Sequence, residues 1–168
     1  MPSPASQSSS ATPFPAVSPV DQLHAEYAAA RDQILRQTNS THVSECLDAI
    51  RPLWAAYQAK LAALASVVGG SVLSTYAWMT LASGNALGVM VYAGGVVILF
   101  GVSAAYHLGH WRSARTVAWW RRADHATIAF FIAATYTPLC LLTLPAAQAL
   151  TMIAVACAGA ALGIALNL

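Results

Sequence analysis

Ser103 and His107 stand four residues apart, and Asp124 follows a segment that carries Arg112, Arg115, Arg121 and Arg122. Four residues is about one helical turn, so a helix here puts Ser103 and His107 on one face. An imidazole is a common ligand for metal ions, and hydroxyl and carboxylate groups handle protons and developing negative charge. Ionisable residues at membrane depth point to function, so a metal-binding or a catalytic role fits this set. Two plainer roles fit it too. A histidine at a membrane interface meets headgroups, and an acid directly after "WRRA" pairs with Arg121 or Arg122. His110 shares the Ser103/His107 face but lies beyond the apolar run, and His125 is turned about 100° from Asp124 on a helix.

The elements that position these residues are apolar. The chain has 168 residues, 58% hydrophobic and 8% charged, with a mean hydropathy of +0.58. Soluble domains carry about 25% charged residues, so this chain lacks the surface of one. Four apolar runs occupy 61–82, 89–108, 126–145 and 147–168. Each has about 20 residues, enough to cross a hydrocarbon core of roughly 30 Å as a helix. In lipid every backbone polar group must be bonded internally, so helices are expected rather than open strands. The sequence therefore predicts an all-α, polytopic transmembrane bundle with membrane lipids around it and no nucleic-acid partner. Because one run ends at Leu108, just past His107, and the next begins just beyond Asp124, both ends lie on the same side of the membrane. Ser103, His107 and Asp124 are thus brought to one depth by topology alone.

Charge placement orients the bundle. Arg31, Arg36, Arg51 and Lys60 precede the first run, and the four later arginines lie between the second and third. The links at 83–88 and around 145–148 carry none. Basic residues stay on the cytoplasmic side, so the N-terminus and the arginine-rich link are expected inside.

Residues 1–20 form a Pro/Ser-rich tail, predicted to be disordered, and lack the basic and apolar regions of a secretory signal. Within 21–60, Leu23, Tyr27, Ala30 and Ile34 recur at helical spacing. After a polar break at 37–42, so do Leu47, Ile50, Trp54, Tyr57 and Leu61, with Ser44 as a candidate N-cap. These cytoplasmic amphipathic helices are expected to lie on the membrane surface or to pack on the bundle's inner face; partner binding is the weaker use of the same stripe. The acceptor triplet Asn39-Ser40-Thr41 falls inside and is expected to stay unmodified. Cys46, Cys140 and Cys157 show no disulfide pattern. Gly69-Gly70, Gly94-Gly95 and the Gly159/Gly163 pair mark expected helix-packing faces. Pro138 is expected to kink the third span.

The ordered combination "SAAYH", a basic link, then "RRADHATIAFFIAATYTP" resembles the hemolysin III branch of the progestin and adipoQ receptor family, over roughly residues 61–168. The resemblance implies a seven-helix membrane fold within a superfamily that includes alkaline ceramidases. It also implies a zinc site made by one histidine on the second span and an H-x-x-x-H pair on the seventh. His107 matches the first zinc ligand, and Ser103 and Asp124 match the motif's serine and aspartate. On that resemblance, zinc lowers the pKa of its water and supplies hydroxide. Asp124 holds or deprotonates the water, Ser103 bonds the water or a developing oxyanion, and the bond attacked is a lipid amide such as that of a sphingolipid. Receptor or signalling function with a structural zinc is the alternative. A cytolysin is less favoured, because a secreted pore-former needs an export signal. Four spans are present, and the five histidines include no H-x-x-x-H pair. The chain therefore reads as an N-terminal fragment with one of three zinc ligands, inactive by itself.

The orientation is testable by labelling single cysteines at Asn85 and Ser113 in a background without native cysteines. An impermeant reagent on intact cells should reach position 85 and not 113; labelling at 113 reverses the topology.

Overall fold

A computed structural model of the chain describes residues 17–37 and 43–167, and every regular element in them is a helix. In order these are α1 (Pro19–Gln37), α2 (Val43–Thr80), α3 (Ser83–Leu108), α4 (Ala114–Thr143) and α5 (Ala146–Asn167). The tail at 1–16 and the polar segment at 38–42, with its acceptor triplet, lie outside the described residues. Four helices are long and apolar enough to cross a membrane: Ser44–Thr80, Ser83–Leu108, Ala114–Thr143 and Ala146–Leu166. The chain is an integral membrane protein built as an all-α bundle.

The helices run further than the apolar runs. The amphipathic stretch before residue 61 and the first span form one continuous α2, so the boundary expected at 60/61 falls in mid-helix. Ala-rich sequence on both sides of Lys60 offers nothing to stop a helix. Val43 is already helical, which puts Ser44 in the first turn rather than at the N-cap. The expected link at 83–88 is instead the start of α3. Leu81 and Ala82 alone make the turn, and Ala86 N–H donates to the Ala82 carbonyl at 2.9 Å. Most of the basic link is also helix, since α4 begins at Ala114 and only residues 109–113 are irregular. Charge marked the membrane boundary there, not the end of regular structure. Residues 19 and 20, assigned to the disordered tail, open α1. Helix α4 carries on through Pro138 to Thr143. The Thr135 and Thr137 hydroxyls donate to the Ile132 and Ala133 carbonyls, at 2.6 and 3.3 Å, not to the carbonyl that Pro138 frees.

Helix α1 packs on the N-terminal half of α2. Tyr57, 7% exposed, shares a 2.7 Å hydrogen bond between its Oη and His24 Nδ1, and its ring lies against Tyr27 and Trp54 with centroids 4.8 and 5.3 Å away. Lys60 faces Glu26 at 3.8 Å. Within α1 the hydrogen bond from Arg31 to Asp32, with their opposite charges, raises the guanidinium pKa above its ordinary value.

Among the described residues, α2 packs on α3, α3 on α4, and α4 on α5, with no contact between helices further apart in sequence. The spans therefore form a single row with two broad open sides. Even in α3, the most enclosed, 28% of the apolar window is buried. Close approach within the row falls on one glycine of each expected pair. A Cβ on Gly95 would stand 2.9 Å from Ala134 Cβ, and one on Gly70 would stand 3.4 Å from the Ala93 carbonyl; at Gly69 and Gly94 it would meet nothing within 4 Å. Gly163 lies against Ala129, whereas Gly159 has open space, so the expected Gly159/Gly163 face is a contact at one residue only. Gly88, read from the sequence as part of a link, is tight: a Cβ there would come 2.8 Å from Leu141 Cδ1 and 3.3 Å from Pro138 Cα.

Overpacking a tight helix contact costs about 1–3 kcal/mol. Gly95→Leu should therefore lower thermal stability in detergent clearly, whereas Gly94→Leu and Gly159→Leu should leave it nearly unchanged. Equal losses at all three positions would show that the row is packed differently.

Candidate functional site

The three candidate residues come from facing ends of α3 and α4. Ser103 and His107 occupy the last turns of α3, and Asp124 lies in the third turn of α4. Gly88 faces Pro138 and Leu141, and Gly95 faces Phe131 and Ala134. The two helices are therefore antiparallel, and stepping equally along both brings Ser103 level with Asp124 to within about one turn. His107 comes level with Arg121.

Facing direction follows from an aromatic pair. The rings of Tyr92 and Phe131 meet across the seam with centroids 5.7 Å apart, which marks one side of the α3–α4 contact. Ser103 comes eleven residues after Tyr92, and Asp124 seven residues before Phe131. At about 100° per residue both recur within roughly 20° of those rings. Ser103 and Asp124 thus turn toward the same open side of the row. His107, one turn beyond Ser103, lies on that side as well, rotated toward α2.

Ser103 and Asp124 are half-buried and His107 is exposed. The His107 ring lies beside Tyr106, with centroids 4.9 Å apart and planes tilted by 52°. Among the described residues, none of the three side chains makes a hydrogen bond or ion pair. The pairing of Asp124 with Arg121 or Arg122, the plainer sequence reading, does not form. Other hydroxyls near membrane depth spend their donor within their own helix: Ser66 on the Ala63 carbonyl, Thr75 on Ser71, and Thr127 on the carbonyl of Asp124 itself. Ser103 does not. The arrangement offers a hydroxyl, an imidazole and a carboxylate on one side of one seam, with their polar atoms uncommitted.

His125 is spoken for. Its Nδ1 donates to the Arg121 carbonyl at 2.7 Å, the tautomer that a carbonyl acceptor requires. His110 is exposed in the link beyond α3. Among the described residues, no three His, Cys, Asp or Glu side chains come together as a metal site.

Sequence reasoning missed what shapes the link above the site. Trp111 folds back over the end of α3, donating its indole N–H to the Tyr106 carbonyl at 3.3 Å, and stacks on Trp120 with centroids 4.8 Å apart. Its ring sits where a Cβ on Gly109 would be, so only glycine fits beneath it. The signal was present as three tryptophans within ten residues, at 111, 119 and 120.

Helices in contact lie about 8–10 Å apart. A Ser103→Cys/Asp124→Cys pair in a cysteine-free background should cross-link efficiently with a short bismaleimide. A Ser103→Cys/Arg122→Cys pair should not, because Arg122 is turned about 200° from Asp124. Equal yields from the two pairs would refute the shared facing.

The sequence model of a family described as haemolysin-III related matches residues 55–168, which takes in the membrane-spanning row and leaves out α1. No solved structure matches the chain.

Proposed function

The chain belongs to the haemolysin-III-related family, and on that premise we propose that it is part of a zinc-binding membrane hydrolase that cleaves a lipid amide. The observation that supports this most is the placement of Ser103, His107 and Asp124 on one side of the α3–α4 seam, none of them tied to a neighbour. With the N-terminus inside, as the distribution of basic residues favours, the site opens at the cytoplasmic boundary, where a lipid headgroup and its linkage to the chains reside.

The residues have distinct roles in this reading. His107, exposed and bearing two ring nitrogens, is the ligand. Asp124 accepts a hydrogen bond or a proton from water at the site. Ser103 donates its hydroxyl proton to an oxygen of the lipid's amide group. A catalytic zinc takes three protein ligands and a water, and the described residues do not furnish three. They do not complete a metal shell, so no hydrolytic step is assigned to this chain by itself. The remaining ligands come from outside the described residues.

Elemental analysis tests the metal and labelled ceramides test the reaction. These 168 residues, purified, should hold far less than one zinc per chain. A version extended by the further spans that the family resemblance implies should hold about one. There His107→Ala should remove most of the zinc, while Asp124→Ala should keep more of it and abolish amide hydrolysis. Zinc binding without hydrolysis of any labelled amide would favour the receptor reading. Full zinc occupancy in the extended His107→Ala variant would remove His107 from the site.

A further inference from the structure

The basic residues of this chain fall into two groups with different surroundings. In the N-terminal group three of the four are paired, Arg31 with Asp32 at 2.7 Å, Arg51 with Asp48 at 3.4 Å and Lys60 with Glu26 at 3.8 Å, and among the described residues Arg36 has no ion pair. The group around the α3–α4 link has no such partners. Arg112, Arg115, Arg121 and Arg122 are all exposed, and among the described residues none forms an ion pair or a side-chain hydrogen bond. Asp124 is the one acidic residue beyond Asp48, and it pairs with none of them. Four unpaired guanidinium groups and a single carboxylate therefore lie within one short stretch, 112–124, at the point where two apolar helices leave the membrane.

This patch is held in shape. Trp111 is anchored to the Tyr106 carbonyl and stacked on Trp120, which ties the link to both helices. Tryptophans settle at the level of lipid headgroups, which sets the arginines at phosphate height. Arginine bonds phosphate oxygens bidentately through its planar fork, and each basic residue near an anionic leaflet gains from the surface potential. The counter-charge missing within the chain is the charge that an anionic headgroup carries.

We propose that the α3–α4 link is a binding surface for the phosphate headgroup of anionic phospholipids. Arg121, level with His107, sets the bound headgroup beside the opening of the candidate site.

The experiment uses the whole chain in phosphatidylcholine nanodiscs, with Trp54→Phe and Trp78→Phe so that emission comes from the tryptophans of the link. Brominated phosphatidylglycerol should quench them roughly threefold more effectively than brominated phosphatidylcholine at equal mole fraction. The preference should fade at about 1 M salt, where charges are screened within about 3 Å. It should be lost when all four arginines become Gln and should persist in Arg31→Gln/Arg51→Gln/Lys60→Gln. Circular dichroism checks that the variants keep their helix content, and the salt titration decides the matter on the unaltered arginines should the fourfold variant misfold. Equal quenching by the two lipids, or a preference that survives high salt or the four substitutions, would overturn the proposal. So would loss of the preference in excess inorganic phosphate at constant ionic strength, which would make free phosphate the ligand.

Discussion

Gly88 and Gly95 let α3 and α4 approach until the side chains of one touch the backbone or the Cβ atoms of the other. The arrangement of the candidate site depends on this contact. Two contacts seven residues apart fix both the register and the rotation of an antiparallel pair, because seven residues make about two turns. Ser103 comes level with Asp124 because Gly95 lies against Ala134, and both face one side because Tyr92 and Phe131 do. A bulkier residue at either glycine would move the polar ends as well as the middle, since helices transmit a shift along their length. Helix pairs in lipid gain most from close backbone approach, the hydrophobic drive between them being weak. The residues that place the chemistry here thus carry no chemistry of their own.

The open sides of the row give the polar residues their setting. Threonines along the spans satisfy themselves by bonding carbonyls three or four residues back, as Thr75, Thr80, Thr143 and Thr151 do. A membrane protein can carry such residues at small cost because the donor never has to find a distant partner. Ser103, His107 and Asp124 are left unbonded together, within about one turn of one another along the seam. A hydroxyl, an imidazole and a carboxylate left unbonded near the hydrocarbon boundary are costly unless something else meets them. Water and headgroups reach that boundary, and whatever else covers this side of the row would complete the set. The groove between α4 and α5, about 360 Å³ and lined mainly by apolar residues such as Ile132, Met152 and Val155, contains none of the three.

Much of the fold was legible in the sequence, because length and hydropathy alone decide where a chain can cross lipid. The number of spans and their helical character follow from that constraint. Their ends did not follow. Residues 83–88 and 114–125 look like links by polarity, yet they are helical: Gly88 serves packing against α4, and the arginines are good helix formers. The same blindness hid the continuity of α2 across Lys60. For the site, the i to i+4 spacing and the alternation of the spans were enough to place Ser103, His107 and Asp124 at the same end of the α3–α4 pair. Their common facing was not legible, since rotation about a helix axis is set by partners such as Gly95 and Phe131, and no local pattern records which residue meets which. The same holds for the glycine pairs, where composition marked the neighbourhood and packing chose one member.

Each helix of the row touches only its neighbours along the chain, through connections of two residues at Leu81–Ala82 and Leu144–Pro145 and five at 109–113. Little chain entropy is spent in closing such short connections. The row can therefore grow in the order of synthesis, every new helix docking on the one just laid down, with no early segment waiting for a late one. On this view the α3–α4 seam takes shape as soon as α4 is in place. The polar set at its end is the product of a local folding event, complete before α5 docks.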